Sequence, residues 1–133
     1  MILGSEHEQY VIDMLAGLSK RVVITIHSAH WKSAVTRSTQ DLVDYMMSLA
    51  PTKISRELRK MPSMSWNDPT LVIRDEDGKS FGVQFIGSPT GLEYRTFLQA
   101  IVASTHPQPV FSEATVVKDI RQPVEAKIFV SPT

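Results

Sequence analysis

From Asn67 to Leu98 the chain reads Asn-Asp-Pro-Thr-Leu-Val-Ile-Arg-Asp-Glu-Asp-Gly-Lys-Ser-Phe-Gly-Val-Gln-Phe-Ile-Gly-Ser-Pro-Thr-Gly-Leu-Glu-Tyr-Arg-Thr-Phe-Leu. Leu71, Val72 and Ile73 form a short apolar run, the pattern of a buried strand. Asp77-Gly78 signals a tight hairpin turn with both central residues at positive φ. Phe81, Val83 and Phe85 alternate with Gly82 and Gln84, which predicts a second strand. Gly87 to Gly91 breaks that strand, and Thr90-x-x-Glu93 has the form of a capping box opening a helix. Tyr94, Phe97, Leu98, Ile101 and Val102 recur at helical spacing and would pack that helix on the hairpin.

Upstream, Ser5 to Leu18 predicts a helix with Tyr10, Val11, Met14, Leu15 and Leu18 on one face and Ser5 as its N-cap. Arg21 to Ser28 is rich in β-formers and predicts a strand. After the loop Ser28-Ala-His-Trp-Lys32, residues Ser33 to Leu49 predict a second helix, which Pro51 ends. Val35, Leu42, Val43, Met46 and Leu49 could form its buried face. Lys53 to Leu58 alternates weakly and fits a strand or a helical turn; it is assigned to the sheet, and Met61 to Asn67 is a loop.

Downstream, Pro107 and Pro109 stop the third helix. Ser112 to Arg121 predicts a further helix, and Lys127 to Val130 a last strand. The helix end and strand of Leu15 to Ala29 are echoed in Val117 to Thr133, so an internal repeat is expected.

The 133 residues suffice for one ordinary domain, and a hydrophobic content of 42% supports a packed core. Fourteen basic residues balance fourteen acidic ones, so no net field draws nucleic acid or an anionic membrane. The basic run Lys53 to Lys60 contains Glu57 and reads as a solvated face. There is no apolar run long enough for a membrane span and no secretory-signal pattern, so a cytoplasmic protein is expected. The chain has no cysteine, which excludes a disulfide, a thiolate metal site and a cysteine nucleophile. His7, His27, His30 and His106 show no zinc-ligand spacing. Asp75-Glu-Asp-Gly lacks the spaced ligands of a calcium loop. No phosphate loop or nucleophile elbow is present, and nothing beside His30 supplies a nucleophile or an orienting carboxylate. No cofactor is expected.

The segment Val83-Gln-Phe-Ile-Gly-Ser-Pro-Thr-Gly-Leu-Glu-Tyr-Arg-Thr-Phe-Leu98 resembles the hairpin-to-helix part of the first thioredoxin-like repeat in the flavoprotein subunit of alkyl hydroperoxide reductase. It is also similar to the tandem-repeat protein disulfide oxidoreductases. Gly-Ser-Pro-x-Gly-x-Glu is its specific core. Asp68-Pro69-Thr70 falls where the family places a cis-proline, and Phe129-Val-Ser-Pro-Thr133 resembles the strand that leads into the Cys-x-x-Cys of a second repeat.

The resemblance implies an α/β, thioredoxin-like fold. A central mixed sheet would be flanked by helices on both faces, with an N-terminal helix and a C-terminal stub of a second repeat. Residues 1–110 would be a thioredoxin-like repeat lacking a dithiol. Residues 111–133 would be a linker helix and the first strand of a truncated second repeat. The dithiol position lies near Ser28 to Lys32, where no sulfur stands, so dithiol exchange is excluded in this chain. The implied role is a redox-inert scaffold of a thiol–disulfide oxidoreductase, positioning a downstream dithiol domain or redox partner protein. The alternative is a peptide- or protein-binding module without redox work. A homodimer through the C-terminal strand is a further expectation, because a lone strand is an exposed edge.

The binding face implied comprises His30, Trp31, Asp68, Pro69 and Thr70. His30 and Trp31 either contact a partner or form a loop with Trp31 packed over the core. Sequence alone favours a trans Pro69 opening a strand; the resemblance implies cis, aiming the backbone of Asp68 and Thr70 at a bound chain. Glu93 is a helix cap by pattern, and by resemblance a tuner of the neighbouring dithiol.

Overall fold

The structure is a computed structural model that describes residues 5–64, 68–106 and 122–128. Its elements run α1 (Ser5–Ala16), β1 (Val22–Ser28), α2 (Ala34–Leu49), β2 (Ile54–Lys60), β3 (Thr70–Arg74), β4 (Ser80–Ile86) and α3 (Leu92–Ser104). The strands form one mixed sheet in the order β2-β1-β3-β4. β1 and β2 are parallel, joined through α2, while β1–β3 and β3–β4 are antiparallel. A βαβ unit is thus followed by a hairpin and a covering helix, as the sequence pattern requires.

Strand periodicity explains where the core sits, because alternate side chains point to opposite faces. Val22, Ile24 and Ile26 of β1, Ile54 of β2, and Leu71 and Ile73 of β3 share one face, and all are fully buried. Val11 and Leu15 of α1, Val43 and Met46 of α2, and Phe97, Leu98 and Ile101 of α3 join them in one cluster. Phe85 meets Phe97 edge to face at 5.1 Å, which fastens α3 to the hairpin.

All three described helices therefore cover the same sheet face, not both faces as expected. The reason lies between β2 and β3, where only the connection from Met61 to Pro69 is available. It holds two prolines and no apolar period, so among the described residues no helix lies on the far face.

Several local expectations are also corrected. The hairpin turn is a three-residue loop closed by the Asp75 N–H to the Lys79 carbonyl at 2.9 Å. Only Gly78 has positive φ (87°), while Asp75 Oδ1 accepts from the N–H groups of Asp77 and Lys79, so side-chain bonds replace the second left-handed residue. β4 does not alternate cleanly: its register with β3 shifts between Val72 and Arg74, next to Gly82 at φ 89°. Phe81 and Phe85 still reach the core, but Val83 is turned out and 37% exposed.

Thr90 and Glu93 form no capping box. The N-cap of α3 is Gly91 at φ 62°, and Glu93 is tied to Thr90 only through its own N–H. Ser33, by contrast, caps α2 by accepting from the Thr36 N–H. Val35 lies in the first turn of α2, outside the buried stripe, and is 38% exposed. Ser5 is the first residue of α1 and not its cap.

The helix expected at Ser112 to Arg121 lies outside the described residues, as do Phe129 and Val130. Lys127 and Ile128 are described and belong to no strand; Ile128 is 85% exposed.

Candidate functional site

β1 ends at Ser28, and the chain crosses Ala29 to Lys32 before Ser33 starts α2. Three hydroxyls build this junction. Ser28 Oγ and Thr36 Oγ1 lie 3.0 Å apart in a buried hydrogen bond, and Ser33 Oγ donates to Thr36 Oγ1 at 2.9 Å. The His30 N–H donates to Ser28 Oγ at 3.0 Å, and the Ser33 N–H donates to the His30 carbonyl at 3.1 Å. Every bond is local, so the loop is held in one shape and its side chains are displayed from a fixed frame.

Above the loop lies an open groove of about 720 Å³, lined by Ala29, His30, Trp31, Lys32, Ser33, Val35 and Asp68. Trp31 is half-buried: one side packs on the core, and Nε1 is buried without a partner among the described residues. Trp31 thus packs over the core, as one of its two readings has it, and also walls the groove. His30 and Asp68 are exposed.

The sequence-predicted residues divide. His30, Trp31 and Asp68 meet at the groove. Pro69 is buried, and its carbonyl accepts from the Gly87 N–H at 2.8 Å. No cis peptide bond occurs among the described residues, so Pro69 is trans, against what the resemblance implied. Thr70 pairs with His27 on one side and Ile86 on the other, directly after this trans bond. The trans form is the ordinary preference of an X-Pro bond, by about 0.5–1 kcal/mol. Thr70 is buried in an inner strand, and its side chain faces a second groove on the far side of the sheet.

Glu93 is half-buried in the first turn of α3, lines neither groove and makes no side-chain hydrogen bond or ion pair with the described residues. The hydroxyl cluster escaped sequence reasoning. Its signal was Ser33-x-x-Thr36 at a helix start, with a serine closing the preceding strand.

The second groove, about 410 Å³, is lined by His27, Met61, Thr70, Arg74 and Gln84 among others. His27 is held below its ordinary value by burial first, then by the cations of Arg59 and Arg74, with Glu57 opposing. Among the described residues no group of three or more acidic, histidine or cysteine side chains could hold a metal. No described helix is long and apolar enough to cross a membrane.

These features define a thioredoxin-like domain without a dithiol, since the chain carries no cysteine. Its fold is similar to that of the alkylhydroperoxide reductase AhpF from Enterococcus faecalis, with a TM-score of 0.74 and 18% identity over 92% of this chain and 62% of that one. The NTD_N/C domain of AhpF from the same organism gives a TM-score of 0.69 and 20% identity, covering 84% of this chain and 57% of that one. A protein disulfide oxidoreductase from Aeropyrum pernix gives 0.66 and 17%, covering 86% of this chain and 53% of the other. The chain therefore spans between 53% and 62% of the length of these structures. No protein-family model and no curated protein matches the sequence.

Proposed function

We propose that this domain is a redox-inert scaffold of a thiol–disulfide oxidoreductase, one that positions a neighbouring dithiol domain through the groove at the β1–α2 junction. The observation that carries the reading is the Ser28–Ser33–Thr36 hydroxyl network, which occupies the junction where the resemblance places a dithiol. Exchange needs a thiolate to attack a disulfide sulfur, and a hydroxyl does not ionise near neutral pH to replace it. The network is suited instead to holding His30 and Trp31 rigidly beside Asp68, which is what docking requires.

A second reading, a peptide-binding module, is favoured by one feature of the same groove. The Trp31 Nε1–H is a buried donor without an acceptor among the described residues, and a peptide carbonyl would satisfy it.

The test has two parts. The pure chain is assayed for thiol-dependent insulin reduction, with none expected; turnover would refute inertness. It is then titrated by NMR with a thioredoxin-fold domain carrying Cys-x-x-Cys. Saturable shifts at His30, Trp31 and Asp68, lost in Trp31→Ala, support docking. Shifts confined to other surfaces, or none, overturn it.

A further inference from the structure

The far face of the sheet concentrates unpartnered polar atoms. Thr25 Oγ1, His27 Nε2 and Arg74 Nε are buried and have no hydrogen-bond partner among the described residues. They alternate along β1 and β3 on the face opposite the helices, in the register Val23↔Arg74, Thr25↔Val72, His27↔Thr70. A buried polar atom left unpaired costs about 1–3 kcal/mol, so several on one face mark a surface suited to a polar ligand.

The groove on this face is bordered by His27 and Thr70 at one end and Arg74 at the other, with Gln84 beside them and Met61 and Met64 as an apolar wall. Its charge is specific. The Arg59 cation is engaged by Glu57 at 2.9 Å. Arg74 donates from Nη1 to the Gly78 carbonyl at 3.1 Å but has no carboxylate partner among the described residues. One uncompensated guanidinium calls for one negative charge, and a carboxylate matches that charge while its two oxygens take the guanidinium fork.

Thr70 and Arg74 are four residues apart on one strand, roughly 13 Å at the rise of a β-strand. A small carboxylate reaches one end only, whereas an extended polypeptide reaches both. We propose that this groove binds an extended, acidic peptide segment of a partner protein. A Glu or Asp side chain would engage Arg74, and a backbone carbonyl three or four residues away would accept from His27 Nε2. This surface is separate from the groove at Trp31.

The blocked tetrapeptides Glu-Ala-Ala-Ala and Ala-Ala-Ala-Glu are titrated into the 15N-labelled chain, each beside its Gln counterpart and beside free glutarate. The expected result is saturable shifts at His27, Thr70, Gln84 and the Arg74 Nε–H for one Glu peptide. Binding of its Gln counterpart should be weaker by about tenfold, the worth of a hydrogen bond to a charged group. Arg74→Gln should abolish the discrimination between Glu and Gln, with amide shifts distant from the groove unchanged to show that the fold persists. Trp31→Ala should leave binding unaltered, which separates this site from the proposed docking groove. Absence of saturable shifts, equal binding of Glu and Gln peptides, or glutarate binding as tightly as the peptide would overturn the proposal.

Discussion

Ser28 and Thr36 share a buried hydrogen bond of 3.0 Å between their hydroxyls, linking the end of β1 to the first turn of α2. The bond does in this domain what a covalent sulfur pair cannot, since it joins strand and helix without a redox state. Thr36→Val keeps the shape, and Ser33 can still cap the helix through the residue 36 N–H. It removes the hydroxyl that Ser28 and Ser33 both contact, leaving Ser28 Oγ with only the His30 N–H. The expected loss of stability is about 1–3 kcal/mol, read as a lower urea midpoint with an unchanged slope.

Tyr94 offers a contrast. Its ring is buried against the core and stacks on His7 at 5.9 Å, but its hydroxyl has no partner among the described residues. Burial, with a smaller contribution from Tyr45, pushes its pKa from 10.0 up to about 12. A raised value means the folded state keeps a proton that the unfolded state loses. This contribution to stability is complete below pH 10 and disappears as pH rises towards 12. Tyr94→Phe should flatten alkaline unfolding in that window and leave neutral stability unchanged or improved, since it removes an unpaired buried group. Thermal melts across alkaline pH check this.

His27 shifts in the other direction. Its folded pKa is lowered from 6.5, so below that pH the unfolded chain binds the proton more readily. Stability should be fully present above about pH 6.5 and decline as pH falls through the folded value. His27→Asn should weaken the decline, measured by urea denaturation at a series of mildly acidic pH values.

Gly78 tests the hairpin. A Cβ there meets nothing within 4 Å, so substitution brings backbone strain at φ 87° and no clash. Gly78→Ala should cost about 1–2 kcal/mol, and Gly78→Asn less, because Asn tolerates the left-handed region better. The readout is the urea midpoint of each variant against the parent.

Much of this domain is legible in residue order. Val22 to Ile26, Leu71 to Ile73 and the spacing of Tyr94, Phe97, Leu98 and Ile101 announce their elements, because each carries its own period. The candidate site was legible in part. His30 and Trp31 were visible as a loop between a strand and a helix, and Asp68 joined them only through the resemblance. The hydroxyl network was missed because serine and threonine at a helix start are ordinary capping residues. Its meaning depends on Ser28, which no local pattern links to Thr36.

What residue order settles alone is which side of each strand and helix is apolar, and that no cysteine thiol is available. Those are local properties of side chains along the backbone. Which neighbour covers each apolar side was decided only in three dimensions. The β2–β3 connection left α1, α2 and α3 on one face, and β3 became an inner strand that buried Pro69 and Thr70 while bringing Asp68 to Trp31. The physical reason is that periodicity records the polarity of a face, whereas strand order and register follow from long-range closure and packing, which no short window of sequence contains.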